Sequence, residues 1–369
     1  MPYPQFDRSL VKMKPLAERR NKVLIPRDAV TLDRPPELSP VARELVGESV
    51  TRIRRALANG RPVMLSFGAH TIKNGLAPVL NELLERRWVT HLATNGAGVI
   101  HDWEIAFQGA TSEDVRGGVS RGEFGNWRET GLYLNLALAV GAYEGMGYGE
   151  SVGALIHHEG LSVPAAEQLA TEARARLLDD PERAAAALDL LQIVRRLDLA
   201  PGRWEIPHPF RSWSVQAKAF AAGIPFTGHP MIGHDIIYNH PANLGAAIGR
   251  TAQRDFLTFA AAVGRIDGGV YLSIGSAVMS PMIFEKSMSM AYNLARQTSA
   301  PFGDHFIAVV DLAPSRWDWS QGEPPENNPD YYLRYNKSFS RLGGEMRYAQ
   351  ADNRDFLLAL MQGLNAAGE

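Results

Sequence analysis

The chain contains no cysteine, which excludes disulfides, zinc–thiolate sites and thiol nucleophiles. It has no run of about 18 apolar residues that would read as a membrane span. Its opening segment, MPYPQFDRSLVKMKPLAERRNK, lacks the apolar centre of a secretory signal, so the expected location is cytoplasmic. Neither sign of charge dominates: 38 Lys and Arg stand against 40 Asp and Glu. That balance gives no general attraction to nucleic acid or membrane. What is present is ordinary for a globular protein, with 45% hydrophobic and 21% charged residues over 369 positions. This length suffices for one large α/β domain or two of ordinary size, each with a sizeable core.

The most informative stretch is Trp88–Asp102, WVTHLATNGAGVIHD. An apolar, β-branched run leads into Thr94-Asn95-Gly96-Ala97-Gly98, and an amphipathic segment follows, so it reads as strand, glycine turn and helix. Glycine lets a backbone approach a ligand closely, and free N–H groups at a helix start favour an anion. A nucleotide phosphate is therefore expected here, although the third glycine of the dinucleotide fingerprint is absent. A second unit precedes it: strand Pro62–Phe67, turn Gly68–Gly75, helix Leu76–Arg86. Strand-turn-helix units in succession predict a doubly wound, mainly parallel sheet. The pattern resumes with strands at Ile224–Thr227, Gly269–Ile274, Phe306–Leu312 and Glu345–Tyr348. Residues 145–200 read as a helical insertion and residues 1–38 as a solvated, proline-rich arm with a basic cluster at Arg19, Arg20 and Lys22. The remainder, 39–369, reads as a single domain. The glycine-rich stretch 109–128 reads as a flap or an interface loop.

Three groups of residues suggest chemistry. Lys337 follows Tyr331, Tyr332 and Tyr335; an aromatic enclosure would desolvate its amine and leave it neutral, able to form an imine with a carbonyl. The alternative is a surface lysine whose stem lies on tyrosine rings. The loop GHPMIGHDIIYNHP carries His229, His234, Asp235 and His240. Its spacings match no helical metal pair, and one functional acid, Asp235, is the preferred reading over a metal site. His157-His158-Glu159 reads as a helix C-terminus complementing the dipole, and the methionines around 281–296 as core filling.

Taken in order, these motifs resemble the deoxyhypusine synthase family. GAHTIKNGL at Gly68–Leu76 resembles its first nucleotide turn, Thr94–Val99 its T-A-G-G-type turn, and Asp102 an acid at the following helix start. Gly233–Ile237 resembles its G-D-M-I loop and Gly275-Ser276-Ala277 its triple-glycine turn. Pro329–Lys337 resembles its P-D-x-x-x-x-W-G-K segment, and Tyr348–Ala351 its Y-A-D-A stretch. The resemblance implies a Rossmann-like, NAD-binding α/β fold and transfer of an aminobutyl group from a polyamine such as spermidine through a lysine imine. It implies Lys337 as the catalytic amine and Asp235, Tyr335 and Tyr331 as substrate contacts. For NAD it implies His70, Thr71, Thr94, Asn95, Gly96, Ala97, Gly275, Ser276 and Gln350. A homotetramer with the site between subunits is implied, with a small amine or a protein lysine as acceptor and no metal. The pattern departs at Ser276, Ala277, Pro281, Tyr331, Tyr335 and Gln350, where the family has glycine, histidine, tryptophan or an acid. Glu323 or Glu326 is the available stand-in for a missing carboxylate. Three other readings stay open: an NAD-linked amine or amino-acid enzyme without a covalent intermediate, a silent NAD-binding oligomer, and a metal-dependent hydrolase.

Overall fold

The computed structural model describes residues 3–367; the first two and last two positions, which end the predicted arm and domain, lie outside the described residues. Six strands form the central sheet: β1 (Val63–Phe67), β2 (His91–Asn95), β3 (Phe226–His229), β4 (Val270–Ile274), β5 (Phe306–Asp311) and β6 (Glu345–Gln350). All pair in parallel, in the order β6-β5-β4-β1-β2-β3. This is the doubly wound order with its reversal between β1 and β4. The predicted α/β class is therefore what the chain adopts.

Burial on both faces explains the strand sequences. Every residue of β1 (VMLSF) and β4 (VYLSI) is buried, so neither strand shows polar alternation. Val63, Leu65 and Phe67 enter one core, and Met64 enters the other. The serines in these strands are satisfied locally: Ser280 Oγ lies 2.8 Å from both Ser273 Oγ and the Tyr271 hydroxyl. Helices Pro40–Ala58, Ala77–Glu85 and Asn353–Ala366 cover one face, and Gly245–Val263, Met279–Thr298 and Arg334–Ser340 the other. Ser39 caps the first of these, accepting from Ala42 N at 3.2 Å, with Pro40 in the first turn.

A short helix, Ala69–Lys73, follows β1, and the long excursion between β2 and β3 holds the remaining α-helices. Its buried residues, Val152, Ile156, Leu169 and Leu190 among them, join the same core as β1 and β2. Helix Gly96–Gln108 enters it from β2. Asp102, buried inside this helix, accepts from Ser214 Oγ at 2.6 Å, Val215 N at 2.8 Å and Gln216 Nε2 at 2.9 Å. It thereby holds the start of helix Val215–Ala222 against its own helix. Asp102 is a fold anchor and faces no cleft.

One expectation is corrected. The segment read as a solvated arm is, among its described residues, partly docked on the domain. Asn21–Leu24 pairs antiparallel with Ala110–Glu113, and Arg19 is buried with Nη1 2.6 Å from the buried Glu104 Oε1. A lone basic cluster cannot reveal a buried partner 85 positions away. The 109–128 stretch carries that strand and helix Val115–Ser120.

Replacing Asp102 by Ala leaves several buried donors unpaired. Unfolding free energy is expected to fall by roughly 2–4 kcal/mol, read from the urea midpoint by circular dichroism, with Asp102→Asn recovering part of the loss.

Candidate functional site at the carboxyl edge of the sheet

Strand polarity places the glycine corners on one edge, and the reversal between β1 and β4 opens the crevice there. The two corners touch. Gly68 N donates to the Ile274 carbonyl at 3.1 Å, and a Cβ on Gly68 would lie 2.1 Å from the Gly275 carbonyl oxygen. Only glycine at 68 permits this approach. Gly275 is exposed with a φ of +58°, a conformation glycine adopts freely. After it, Ser276 is buried and accepts from Ser280 N at 3.2 Å, opening helix Met279–Thr298. A third element joins this corner. Asn353 Nδ2 donates to Thr71 Oγ1 at 3.2 Å, and Asn353 Oδ1 accepts from Asn74 at 3.1 Å. His70 projects from the same turn and is exposed. His70, Thr71, Gly275 and Ser276 are thus brought together, and Asn353 is a neighbour that no sequence signal marked.

The β2 corner differs from the expectation. Asn95 caps helix Gly96–Gln108 by accepting from Gly98 N at 2.9 Å. Thr94 Oγ1 donates to the Phe67 carbonyl at 2.9 Å. Both polar groups are spent on the fold. Over Gly96 lies the Asp235 carboxylate: a Cβ on Gly96 would fall 2.1 Å from Asp235 Oδ2. An ionised carboxylate in that place would repel a phosphate held at the start of this helix. Ala97 remains half-exposed beside it.

Asp235 has the chemistry of a functional acid. Its Oδ2 is sealed from solvent without a hydrogen-bond partner, as is the hydroxyl of Tyr238. Burial pushes the Asp235 carboxyl up to about 7. The phenols of Tyr148 and Tyr238 lie within its electrostatic reach, and both are held neutral, first by burial and then by that carboxylate. A carboxylate oxygen enclosed without a donor costs stability unless something compensates it. Tyr148 and Tyr238 escaped the sequence reading because neither sits in a motif.

The other loop groups are dispersed. His229 is buried, its Nε2 2.9 Å from Thr227 Oγ1, and burial lowers it to about 3. His240 accepts from Ala242 N at 3.0 Å, and His234 is exposed. Among the described residues, no group of three or more His, Asp or Glu is placed to hold a metal ion.

Lys337 lies elsewhere. It sits on helix Arg334–Ser340 beside β6, whereas Asp235 lies over the start of the helix that follows β2. Four strand spacings separate β6 from β2, roughly 19 Å. Its Nζ stands 3.2 Å from the Tyr331 ring centre and 3.1 Å from Glu323 Oε1. The neutral amine expected from aromatic enclosure is corrected. Partial desolvation lowers the Lys337 pKa, but the Tyr331 hydroxyl and Glu323 outweigh it and hold the ammonium above its ordinary value. Glu323 also pairs with Arg341 at 2.6 Å. Tyr335 is buried, its hydroxyl 3.5 Å from that of Tyr348. Gln350, exposed at the end of β6, donates to the Leu312 carbonyl at 3.0 Å.

No family model matches the chain, and no curated protein matches it. Several solved structures align with the chain at low similarity. AgrE, crystallised as a ternary complex with ornithine and NAD+, aligns at TM-score 0.44 and 14% identity over 90% of this chain and 34% of its own. ArgZ, an arginine dihydrolase of the ornithine-ammonia cycle in cyanobacteria, aligns at TM-score 0.41 and 14% identity over 88% of this chain and 33% of its own. A putative LOR/SDH protein of Methanococcus maripaludis S2 aligns at TM-score 0.44 and 12% identity, covering 93% and 74%. The chain spans about a third of the length of AgrE and ArgZ.

The orphan carboxylate predicts a pH-dependent stability. Asp235 titrates at about 7 in the folded chain against 3.8 ordinarily. Between those values the folded state holds the extra proton, so this group's contribution falls as pH rises through the window and is level above it. Asp235→Asn is expected to raise the unfolding free energy near pH 8 by roughly 2–4 kcal/mol. The gain shrinks toward zero near pH 4 and is read by thermal melts across that range.

Proposed function

We propose that this chain is an NAD-linked enzyme acting on an amine or amino acid, without a covalent intermediate on the protein. The observation that carries the reading is Asp235, whose Oδ2 is enclosed without a partner at the carboxyl edge of a doubly wound sheet, beside the corner where β1 meets β4. The residues present fit a dinucleotide. The pyrophosphate would lie at the β1–β4 corner, where the exposed Gly275 backbone, the Ser276 hydroxyl and the start of a 20-residue helix converge. Thr71, His70 and Asn353 border the same corner. NAD, when bound, would supply a hydride acceptor.

Asp235 performs the other half of the chemistry. Ionised, it attracts a substrate ammonium and then takes the proton that leaves the amine nitrogen as the adjacent carbon gives up hydride. A folded-state value of about 7 suits an acid–base group at neutral pH. The neutral phenols of Tyr148 and Tyr238 can donate to the carboxylate or to the substrate without adding charge. A homo-oligomer is part of this reading: Ile232, Val278 and Leu312, apolar residues of three loops at the open edge, are 73%, 59% and 68% exposed.

A second reading, aminobutyl transfer as in the deoxyhypusine synthase family, is supported by Glu323. It stands 3.1 Å from Lys337, supplying a carboxylate where the family's acid is missing from the motif. It requires Lys337 to lose its proton and to meet Asp235 from another subunit.

Two measurements separate the readings. Calorimetry with NAD, followed by near-ultraviolet absorbance of reduced nicotinamide over a panel of amines and amino acids, tests the first. Asp235→Asn is expected to cut turnover by about 10²-fold or more while NAD binding persists. NAD binding with no reduction by any amine would leave a silent oligomer. Borohydride trapping in the presence of spermidine tests the second, with a mass-labelled Lys337 as its positive outcome and normal turnover by Lys337→Ala as its refutation.

A further inference from the structure

A second polar recess lies away from the carboxyl edge, between the N-terminal segment and the 113–127 stretch. It is a pocket of about 420 Å³ bordered by Arg19, Arg20, Glu18, Glu113 and Trp127. Its charges are incompletely matched. The Arg19 side chain is 2% exposed. Nη1 donates to Glu104 at 2.6 Å and Nε to Asn21 Oδ1 at 2.8 Å, while the buried Nη2 has no partner. A buried guanidinium with one free arm is a ready carboxylate or phosphate donor.

Opposite it, Glu113 accepts from Trp127 Nε1 at 3.1 Å and from Gly125 N at 3.2 Å but pairs with no cation. Burial pushes its carboxyl above the ordinary range, with Arg19 acting against that from nearby. Trp127 links the two: the Arg19 guanidinium carbon lies 5.8 Å from its ring centre. Arg20 and Glu18 stand exposed at the rim. Lys14, Arg121 and Asp114, also on the walls, are paired with Glu123 and Lys22, leaving the buried Arg19 and the half-buried Glu113 as groups of opposite sign with capacity to spare.

We propose that this recess binds a small zwitterion of the α-amino-acid type, its carboxylate on Arg19 and its ammonium on Glu113. A simple anion would face Glu113, and a simple amine would face Arg19; a molecule carrying both charges a few bonds apart satisfies both. The volume accommodates an ordinary amino acid. The recess also touches the Asp235 loop. Gly125 is packed so closely on Ile236 that a Cβ would lie 2.8 Å from it, and Asn239 Nδ2 donates to Asn126 Oδ1 at 3.1 Å.

The test is calorimetry and thermal shift on the full chain with L-alanine and L-glutamate, and with propionate and propylamine as half-ligands. The amino acids are expected to bind at least roughly tenfold more tightly than either half-ligand. Glu113→Gln, which keeps the Trp127 contact, is expected to weaken them by a similar factor. Asp235→Asn serves as the control for amino acid held at the carboxyl edge: binding here survives it, whereas binding there does not. Three results overturn the proposal: no binding at millimolar concentration, half-ligands equal to amino acids, or unchanged affinity in Glu113→Gln. Arg19→Lys provides a second variant that keeps the charge on Glu104, with weakened carboxylate recognition expected.

Discussion

The close approach of Gly68 to the Gly275 carbonyl is the constraint on which the edge depends. It fixes how near β1 and β4 can bring the two halves of the sheet at their carboxyl ends. Any side chain at 68 would wedge them apart, because the atom it would strike is backbone and cannot rotate away. With the halves closed at this point, the loops after β1 and β4 and the start of the last helix meet around Asn353. The loops after β2 and β3 meet around Asp235. The edge thus has two electrostatic characters, one corner rich in backbone N–H and hydroxyl groups, the other acidic.

Buried carboxylates organise much of the rest. Asp102 and Asp255 both hold helix starts. Asp255 accepts from Gly149 N at 2.8 Å and Gly228 N at 2.6 Å, tying helix Tyr148–His158 to β3. Both are surrounded by donors. Asp235 is only partly buried, and its enclosed Oδ2 has no donor. Composition does not distinguish these three acids; the count of partners does, and that count separates fold anchors from a group left available for chemistry.

Much of the architecture was legible in the sequence because the signals were local. Apolar runs such as VMLSF and VYLSI mark strands buried on both faces, and Ser39-Pro40 and Ser214 mark helix starts that the structure uses as caps. What could not be read was non-local. The burial of Arg19 depends on Glu104, and the strand at Asn21–Leu24 depends on a partner at Ala110–Glu113. The protonation of Lys337 depends on Glu323, which lies within a proline-rich loop without periodicity and could not be told from Glu326 by sequence. Aromatic neighbours in sequence suggested desolvation, but one ring became a surface for the ammonium and a carboxylate completed its pairing. The spacing of glycines found both corners, yet only the fold reveals which is covered by an acid.

The Arg19–Glu104 pair has a consequence for how the chain can be handled or shortened. Glu104 is fully enclosed and draws its compensating charge from a segment that precedes the whole sheet in sequence. A fragment beginning after position 20 would keep all six central strands and still inherit an unneutralised anion in its interior. The front of the chain therefore acts as a counter-ion supplied in cis. Proteolytic clipping there would register as softening around helix Gly96–Gln108, far along the chain from the cut.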